Sequence, residues 1–164
     1  IVVGQIIGSV GIPLYLDSTG TVLVAALAGP WAGIATGVLS SLVWSAFNPS
    51  VLPFAATSAA VGGLAGVAIK HGALKNIATV LLSGAVIGIV VGMLAAPVAA
   101  FVYGGTAGVG TGAVVSLLRE MGHSLLQSVT LQSFISDPLD KALVMLLVWL
   151  VLKSLPKRTL AAFR

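Results

Sequence analysis

The stretch from Asn76 to Val102 reads NIATVLLSGAVIGIVVGMLAAPVAAFV and contains no Asp, Glu, Lys or Arg. An apolar helix of about 20 residues crosses the hydrocarbon core of a bilayer, and this stretch is long enough to do so. A charge at the bilayer centre would cost roughly 2.5–3.5 kcal/mol, so the absence of charge indicates lipid as the solvent. The stretch predicts a membrane-crossing helix from about Leu74 to Val102, kinked at Pro97.

Most of the remaining chain is equally poor in charge. Residues 1–16, 18–69 and 142–152 hold no charged side chain. Of the 164 residues 7 % are charged, where a soluble domain would have about 25 %, and the mean hydropathy is +1.14. The 20 glycines favour close helix packing in lipid, and the alternating segments of a β-barrel do not occur. We predict an all-α integral membrane bundle of about six transmembrane helices, with residues 1–164 forming one domain.

Gly, Pro and Asn divide this apolar mass into segments. The first helix is predicted to be truncated, because Ile1 lies within an apolar run that has no start. An amphipathic segment follows the glycine-rich turn 104–112, and Asp137 and Pro138 are expected to open the last helix. The predicted helices cover residues 1–11, 18–28, 31–47, 51–69, 74–102, 113–128 and 138–155.

The basic residues predict the orientation. Lys70 and Lys75 flank one loop, and Lys153, Lys157 and Arg158 follow the last helix, so both places are expected to be cytoplasmic. The loops around Asp17 and Asn48 and the segment 104–137 then share the outer face. We expect a multi-pass protein of a prokaryotic plasma membrane, with no charge in the middle of a span.

The polar and aromatic residues of these outer loops are the candidate substrate-binding residues. Arg119, His123 and Gln127 recur every four residues and would form one stripe of an amphipathic helix. Each candidate also has a structural alternative: a helix cap for Asp17, a solvated face for the Arg119 stripe, a membrane-interface anchor for Trp44. The candidates are Tyr15, Asp17, Trp44, Asn48, Tyr103, Arg119, His123 and Gln127.

Several kinds of chemistry are not supported by the sequence. No cysteine is present, which excludes a thiol nucleophile or a thiolate metal site. The motifs His-Glu-x-x-His and Gly-x-Ser-x-Gly do not occur, and His71 and His123 are expected on opposite faces. The scattered basic residues do not form a nucleic-acid-binding surface. We therefore predict no enzyme activity, no catalytic residue, no metal site and no cofactor.

Glycines spaced four apart predict close helix contacts. They form the rows Gly4–Gly8, Gly29–Gly33–Gly37, Gly62–Gly66 and Gly84–Gly88–Gly92.

Three segments carry a resemblance to a known family. PLYLDSTGT at 13–21 leads into VAALAGPWAG at 24–33, and SFISDPLDK at 133–141 precedes the last helix. The chain resembles the substrate-binding S component of an energy-coupling factor (ECF) type ABC transporter. The resemblance implies six helices that capture a micronutrient or vitamin at the outer face. It also implies a transmembrane coupling subunit, contacted through Gly4 and Gly8, and two cytoplasmic ATPases that alone use ATP.

The predicted function is thus a membrane-embedded substrate-binding subunit for uptake. A sensory or signalling transmembrane module without transport activity would explain the missing chemistry equally well. A lipid-modifying enzyme that uses Arg119, Glu120 and His123 is a weaker alternative, and a channel is disfavoured because no row of polar residues crosses the predicted membrane.

Overall fold

The computed structural model describes residues 16–105 and 111–156, and every regular element in these ranges is helical. This confirms the all-α prediction, whereas the predicted first helix lies outside the described residues. The elements are α1 (Thr19–Ala28), α2 (Pro30–Ser45), a 3-10 helix (Pro49–Phe54), α3 (Ala55–Lys70), α4 (Ile77–Tyr103), α5 (Thr111–Glu120) and α6 (Leu125–Ser154).

Within the described residues, two helical stretches are long and apolar enough to cross a membrane, Pro49–Lys70 and Ile77–Tyr103. Only 22 % and 33 % of their most apolar windows are buried inside the protein. Many large apolar side chains of α4 point outward, among them Leu82 and Val86. A surface of this kind matches the lipid-facing side of a membrane protein better than the core helix of a soluble one. Of the about six predicted crossings, the described structure thus supports two.

Glycine rows join the helices in two antiparallel pairs. Gly33 and Gly37 of α2 face the backbone of Gly62 and Ser58 of α3 so closely that a Cβ would overlap it. In the second pair, Gly84 and Gly88 of α4 face the backbone of α6 in the same way, and Gly92 faces the side chains of Ser133 and Asp137. These glycines pack the bundle internally, as small residues do where backbones approach. Gly4 and Gly8 lie outside the described residues.

The two ends of the bundle differ in composition. At the first, here called the lysine end, Trp149 of α6 donates its Nε1–H to the carbonyl of Leu74 at 3.0 Å. Lys153 lies over the Trp149 ring at 3.7 Å from its centroid, so the loop between α3 and α4 meets the end of α6 here. At the opposite end, here called the asparagine end, the Tyr103 hydroxyl donates to the Ser50 carbonyl next to Asn48. Lys70 and Lys75 therefore share an end with Lys153, as their spacing in the sequence predicts.

Helix α6 begins much earlier than the sequence indicates. Ser124 and Gln127 form a capping box that starts the helix at Leu125, and Pro138 lies inside it. At this point Gly88 lets α4 pack directly against the backbone of Asp137 and Pro138. The prediction that Asp137 and Pro138 open the last helix is therefore wrong. Both residues lie in the middle of a 30-residue helix.

Two apolar clusters make up the core. One lies toward the lysine end and includes Val80, Val144 and Val148. The other lies toward the asparagine end and includes Ala100, Val115 and Val129. On α6 the two clusters are separated by a buried polar segment, and the candidate site lies in that segment.

Candidate functional site: a buried polar stripe on helix α6

One face of α6 carries seven buried polar or charged side chains, which we call the polar stripe. Residues four apart lie on one face of a helix, so these side chains form two adjacent rows. From first to last they extend about 20 Å along the helix at 1.5 Å per residue. The polar stripe consists of Ser128, Gln132, Ser133, Ser136, Asp137, Asp140 and Lys141.

The C-terminal part of the polar stripe is charged. Lys141 Nζ lies 2.5 Å from Asp140 Oδ2 and 3.7 Å from Asp17 Oδ1, which comes from the segment before α1. Asp137 lies one turn before Lys141 on the same face. We call Asp17, Asp137, Asp140 and Lys141 the ion cluster. It contains three of the four acidic residues of the whole chain.

Burial distinguishes the members of the ion cluster. Asp140 is 0 % exposed, and Lys141 and Asp137 are 6 % and 8 % exposed. The Asp17 side chain is 45 % exposed. The cluster is therefore enclosed by helices on one side and open toward its surroundings at Asp17.

The backbone just before α1 is hydrogen-bonded to Asp140. Leu16 donates its N–H to Asp140 Oδ1 at 2.7 Å, and it does so with a left-handed φ of 43°. This conformation costs a residue with a Cβ about 1–2 kcal/mol. Strained backbone of this kind is found where surrounding contacts hold it in place, often at functional sites.

Glycine makes room for the Asp137 carboxylate. Gly92 of α4 lies opposite it, and a Cβ on Gly92 would sit 2.7 Å from Asp137 Oδ2. The glycine row of α4 thus packs the helix pair and also accommodates a carboxylate between the two helices.

In the uncharged part of the polar stripe, only some of the side chains have hydrogen-bond partners among the described residues. Gln132 donates its Nε2–H to Ser136 Oγ, and Ser136 Oγ donates to the Gln132 carbonyl at 2.9 Å. Ser128 Oγ, at the start of the stripe, and Ser18 Oγ, next to Asp17, are buried without a hydrogen-bond partner in the described part of the chain. Buried polar atoms are nearly always paired with protein groups or with ordered water.

The polar stripe offers carboxylates, an ammonium group, an amide and hydroxyls. It contains no His, Cys or Tyr. Among the residues that the structure describes, no three His, Cys, Asp or Glu side chains lie close enough to share a metal ion. Fixed charges, an amide and hydroxyls inside an apolar body can instead hold a small polar molecule.

Three of the residues predicted from the sequence meet at the asparagine end. The backbone N–H of Asn48 donates a hydrogen bond to the Trp44 carbonyl at 2.9 Å. Tyr103 stacks on Phe54 with ring centroids 5.5 Å apart. The buried Trp44 indole N–H has no partner among residues 16–105 and 111–156. The turn is aromatic and compact, with Tyr103 held by Ser50.

Asp17 does not lie with this group. It contacts Lys141, which is about 24 Å along α6 from its start at Leu125. Asp17 and the Asn48 turn were predicted to lie at the same end of the bundle, and this prediction is wrong. Asp17 lies near the middle of the bundle, because the ten-residue α1 covers only part of its length. Tyr15 lies outside the described residues.

Arg119, His123 and Gln127 do not form one helical stripe. Gly122, with a φ of 93°, interrupts the helix between α5 and α6. Arg119 and His123 are exposed, and Gln127 Oε1 accepts the Ser124 N–H at 3.0 Å as part of the capping box. The predicted amphipathic helix 113–128 is thus two helices with a turn between them.

A signal for the polar stripe is present in the sequence. Ser128, Gln132, Ser136 and Asp140 follow one another at four-residue spacing, and so do Ser133, Asp137 and Lys141. A helix boundary placed at Pro138 cuts both rows and hides the pattern.

A surface cavity of about 330 Å³ lies at the lysine end, away from the polar stripe. It is formed by the junction of α1 and α2 and by Gly66, Ile69 and Lys70 of α3. None of the residues predicted for substrate binding lines it.

No family model matches the chain, and no curated protein or solved structure matches it. A function therefore has to be argued from the residues of the chain itself.

Proposed function

We propose that the chain is a membrane-embedded solute-binding subunit of an uptake transporter, of the S-component type found in ECF transporters. The observation that carries the proposal is the ion cluster: three carboxylates and one ammonium group collected in the middle of a helical body that is otherwise almost free of charge. The solute binds along the polar stripe.

Energetics support a functional role for these charges. An ionisable side chain inside a membrane is expensive, and it is usually kept for a ligand, an ion or a proton pathway. Lys141 needs one carboxylate as a partner, and Asp140 at 2.5 Å supplies it. Asp137 adds a further buried carboxylate one turn away, so the Lys141–Asp140 pair alone does not account for the whole ion cluster.

The open side of the ion cluster supports access for a solute. Asp17 is half exposed, and it lies at the point where the segment before α1 meets α6. A solute bound there would contact residues 16–18, because Leu16 and Asp17 both contact the charged residues of α6.

The remaining parts of the proposal follow the distribution of charge and apolar surface. The protein is multi-pass in a prokaryotic plasma membrane, with the lysine end cytoplasmic and the asparagine end outside. A transmembrane coupling subunit and two ATPases supply the energy for release inward. The exposed apolar faces of α3 and α4 offer area for lipid and for such a subunit.

Affinity purification from native membranes tests this proposal. The tagged chain, extracted in mild detergent, is expected to bring with it a membrane coupling subunit and ATPases, and native mass spectrometry is expected to find a retained small molecule. Asp137→Asn should lower the retained amount, and Glu120→Gln, the same change at the exposed acid of α5, should not. Recovery with a kinase or another signalling partner instead would favour the sensory module and contradict transport.

A further inference from the structure

We propose that the cavity at the lysine end binds the headgroup of an anionic phospholipid, and that an acyl chain of the same lipid lies along α2. This site goes beyond the proposed function. It requires only that the protein lies in a membrane, and it would be present in a transporter and in a sensory module alike.

The lining of the cavity suits a headgroup. Its wall is formed mostly by apolar groups of α1 and α2, and Lys70, the last residue of α3, contributes an ammonium group. Lys70 Cε lies 3.9 Å from the position that a Cβ would take on Gly29, so this side chain lies over the α1–α2 junction. Sites for small molecules have volumes of about 300–1,000 Å³. The cavity of about 330 Å³ therefore has room for a headgroup but not for a whole lipid.

The lysine end has positive charge that no acidic side chain offsets. Lys70, Lys75 and Lys153 lie there, and in the part of the chain that the structure describes none of the three forms an ion pair. The four acidic residues of the chain lie elsewhere, three in the ion cluster and Glu120 on α5. Basic pockets between helices at a cytoplasmic membrane surface bind anionic lipid headgroups. The charge of this end thus favours an anion in the cavity.

Two tryptophans indicate the depth of the cavity in the membrane. Trp31 lines the cavity and is 83 % exposed. Trp149 lies at the same end, with its indole N–H donated to the Leu74 carbonyl. Tryptophan is enriched at the membrane–water interface, where its ring lies at the level of the headgroups. We therefore expect the cavity to open at headgroup depth.

An exposed apolar strip of α2 begins at the cavity. Ala35, Leu39 and Leu42 follow Trp31 at spacings of three or four residues, so they share a face of the helix, and all of them are exposed. At 1.5 Å per residue the strip is roughly 16 Å long, close to half of the hydrocarbon core of about 30 Å. An acyl chain of one leaflet can lie along it while the headgroup occupies the cavity. This continuity favours a lipid over a soluble phosphate ester, which would use the cavity alone.

Lipids that differ only in the headgroup test the inference. The delipidated chain in detergent is titrated with dioleoylphosphatidylglycerol and, separately, with dioleoylphosphatidylcholine. The thermal unfolding midpoint and the lipid adducts in native mass spectra are recorded. A ligand that binds the folded state raises the midpoint, so the anionic lipid is expected to raise it more and to form an adduct at lower concentration. Equal effects of the two lipids would overturn the inference.

A competition experiment distinguishes a lipid from a soluble phosphate ester. A large excess of glycerol 1-phosphate, an anion of the same kind without acyl chains, should leave the phosphatidylglycerol adduct in place, because apolar contact along α2 adds to the affinity of the lipid. Displacement of the adduct would mean that the cavity takes a soluble phosphate ester, and the lipid assignment would fail.

Two lysine variants locate the lipid. Lys70→Gln removes the ammonium group of the cavity and is expected to weaken the apparent affinity for phosphatidylglycerol about tenfold or more, as the loss of a charged hydrogen bond does. Lys75→Gln makes the same change at the same end, but Lys75 does not line the cavity. Its effect should stay within about threefold. Equal losses in the two variants would show a general attraction to the lysine end and contradict a site in the cavity.

Filling the cavity tests its shape without a change of charge. Ala28 lines the cavity and is exposed, so Ala28→Leu should narrow the cavity and leave the fold intact. The affinity for phosphatidylglycerol should fall to a similar extent as in Lys70→Gln. Ala56→Leu, the same change at an exposed alanine near the asparagine end, is the matched control and should have no effect. Full affinity in Ala28→Leu would contradict the inference.

These outcomes are independent of the polar stripe. A lipid adduct differs in mass from a small solute, and Lys70→Gln should remove the lipid while a solute of the polar stripe is retained. Failure of the lipid site would therefore leave the transport function standing, and recovery of the chain with a signalling partner would leave the lipid site standing.

Discussion

At the scale of single residues, Lys141 connects helix α6 to the residues just before α1. Its ammonium bridges Asp140 of its own helix and Asp17 before α1, and Asp140 in turn accepts the strained Leu16 amide. A change at this one position therefore affects both the charge balance inside the bundle and the attachment of the segment before α1.

We expect Lys141→Met to destabilise the protein by about 3–5 kcal/mol, because it leaves buried carboxylates without their cation. Unfolding of the purified variant in mixed micelles, followed by circular dichroism during titration with dodecyl sulfate, measures the change. Lys75→Met, at an exposed lysine, is the control and should stay within about 0.5 kcal/mol of the wild type. A small effect at Lys141 would show that the ion pair contributes little to folding.

Single residues also account for what the sequence could not predict at the site. The charge-free stretches show where the helices are, but nothing in them shows that the Asp17 side chain reaches Lys141, 124 residues away. That contact depends on the length of α1 and on the left-handed Leu16, which are set by packing in three dimensions. Asp17 was identified as a candidate from its isolation in an apolar segment, and its partners became visible only in the structure.

At the scale of elements, the continuity of α6 decides where the charged residues lie. A helix that started at Pro138 would place Asp137 and Asp140 at an end, where acids merely stabilise the first turn. Because the capping box of Ser124 and Gln127 starts the helix at Leu125, the same residues lie mid-helix and are buried.

Ser124→Ala is expected to loosen the start of α6 by about 1 kcal/mol through loss of the cap. Hydrogen–deuterium exchange should then be faster at the amides of residues 125–128 and unchanged in the middle of α4. Ser116→Ala, at an exposed serine of α5, is the matched control and should leave exchange in α6 as it is. Unaltered exchange at 125–128 in Ser124→Ala would contradict the assigned start of the helix.

The glycine row of α4 packs against the polar stripe of α6. We expect Gly88→Ala to cost about 1–3 kcal/mol, because the added Cβ overlaps the backbone of Asp137 and Pro138. The same change at Gly20, where a Cβ meets nothing within 4 Å, should be neutral or stabilising by up to about 1 kcal/mol, since alanine favours a helix. Thermal unfolding in detergent compares the two variants. Equal midpoints would show that α4 and α6 can separate without loss.

The elements themselves could be predicted well where apolar stretches end at strong breakers. The helix predicted over residues 51–69 corresponds to the 3-10 helix and α3, and the one over 74–102 corresponds closely to α4. Prediction failed between residues 113 and 138, because the predicted helix 113–128 runs through Gly122 and the last helix was expected to begin at Pro138. Glycine there marks a true interruption, while proline does not, and only the packing of α4 against α6 distinguishes the two cases.

At the scale of the whole molecule, the two ends of the bundle differ in composition and an apolar surface lies between them. The outward side chains of α3 and α4 form an apolar surface along the length of the bundle. Lysines lie at one end of it, and the aromatic Asn48 turn lies at the other. If the protein spans a membrane as proposed, these two ends face different compartments.

Cysteine labelling tests this orientation on a clean background, because the chain contains no cysteine. In intact bacterial cells, a membrane-impermeant maleimide should label Ser50→Cys at the asparagine end and should not label Lys75→Cys at the lysine end. In inverted membrane vesicles the pattern should reverse. Val86→Cys is the control: it lies on an exposed face in the middle of α4, and in lipid its thiol should react from neither side, since the reactive thiolate does not form there. Labelling of both ends from the same side would contradict a crossing between them, and rapid labelling of Val86→Cys would show that this face of α4 is in water.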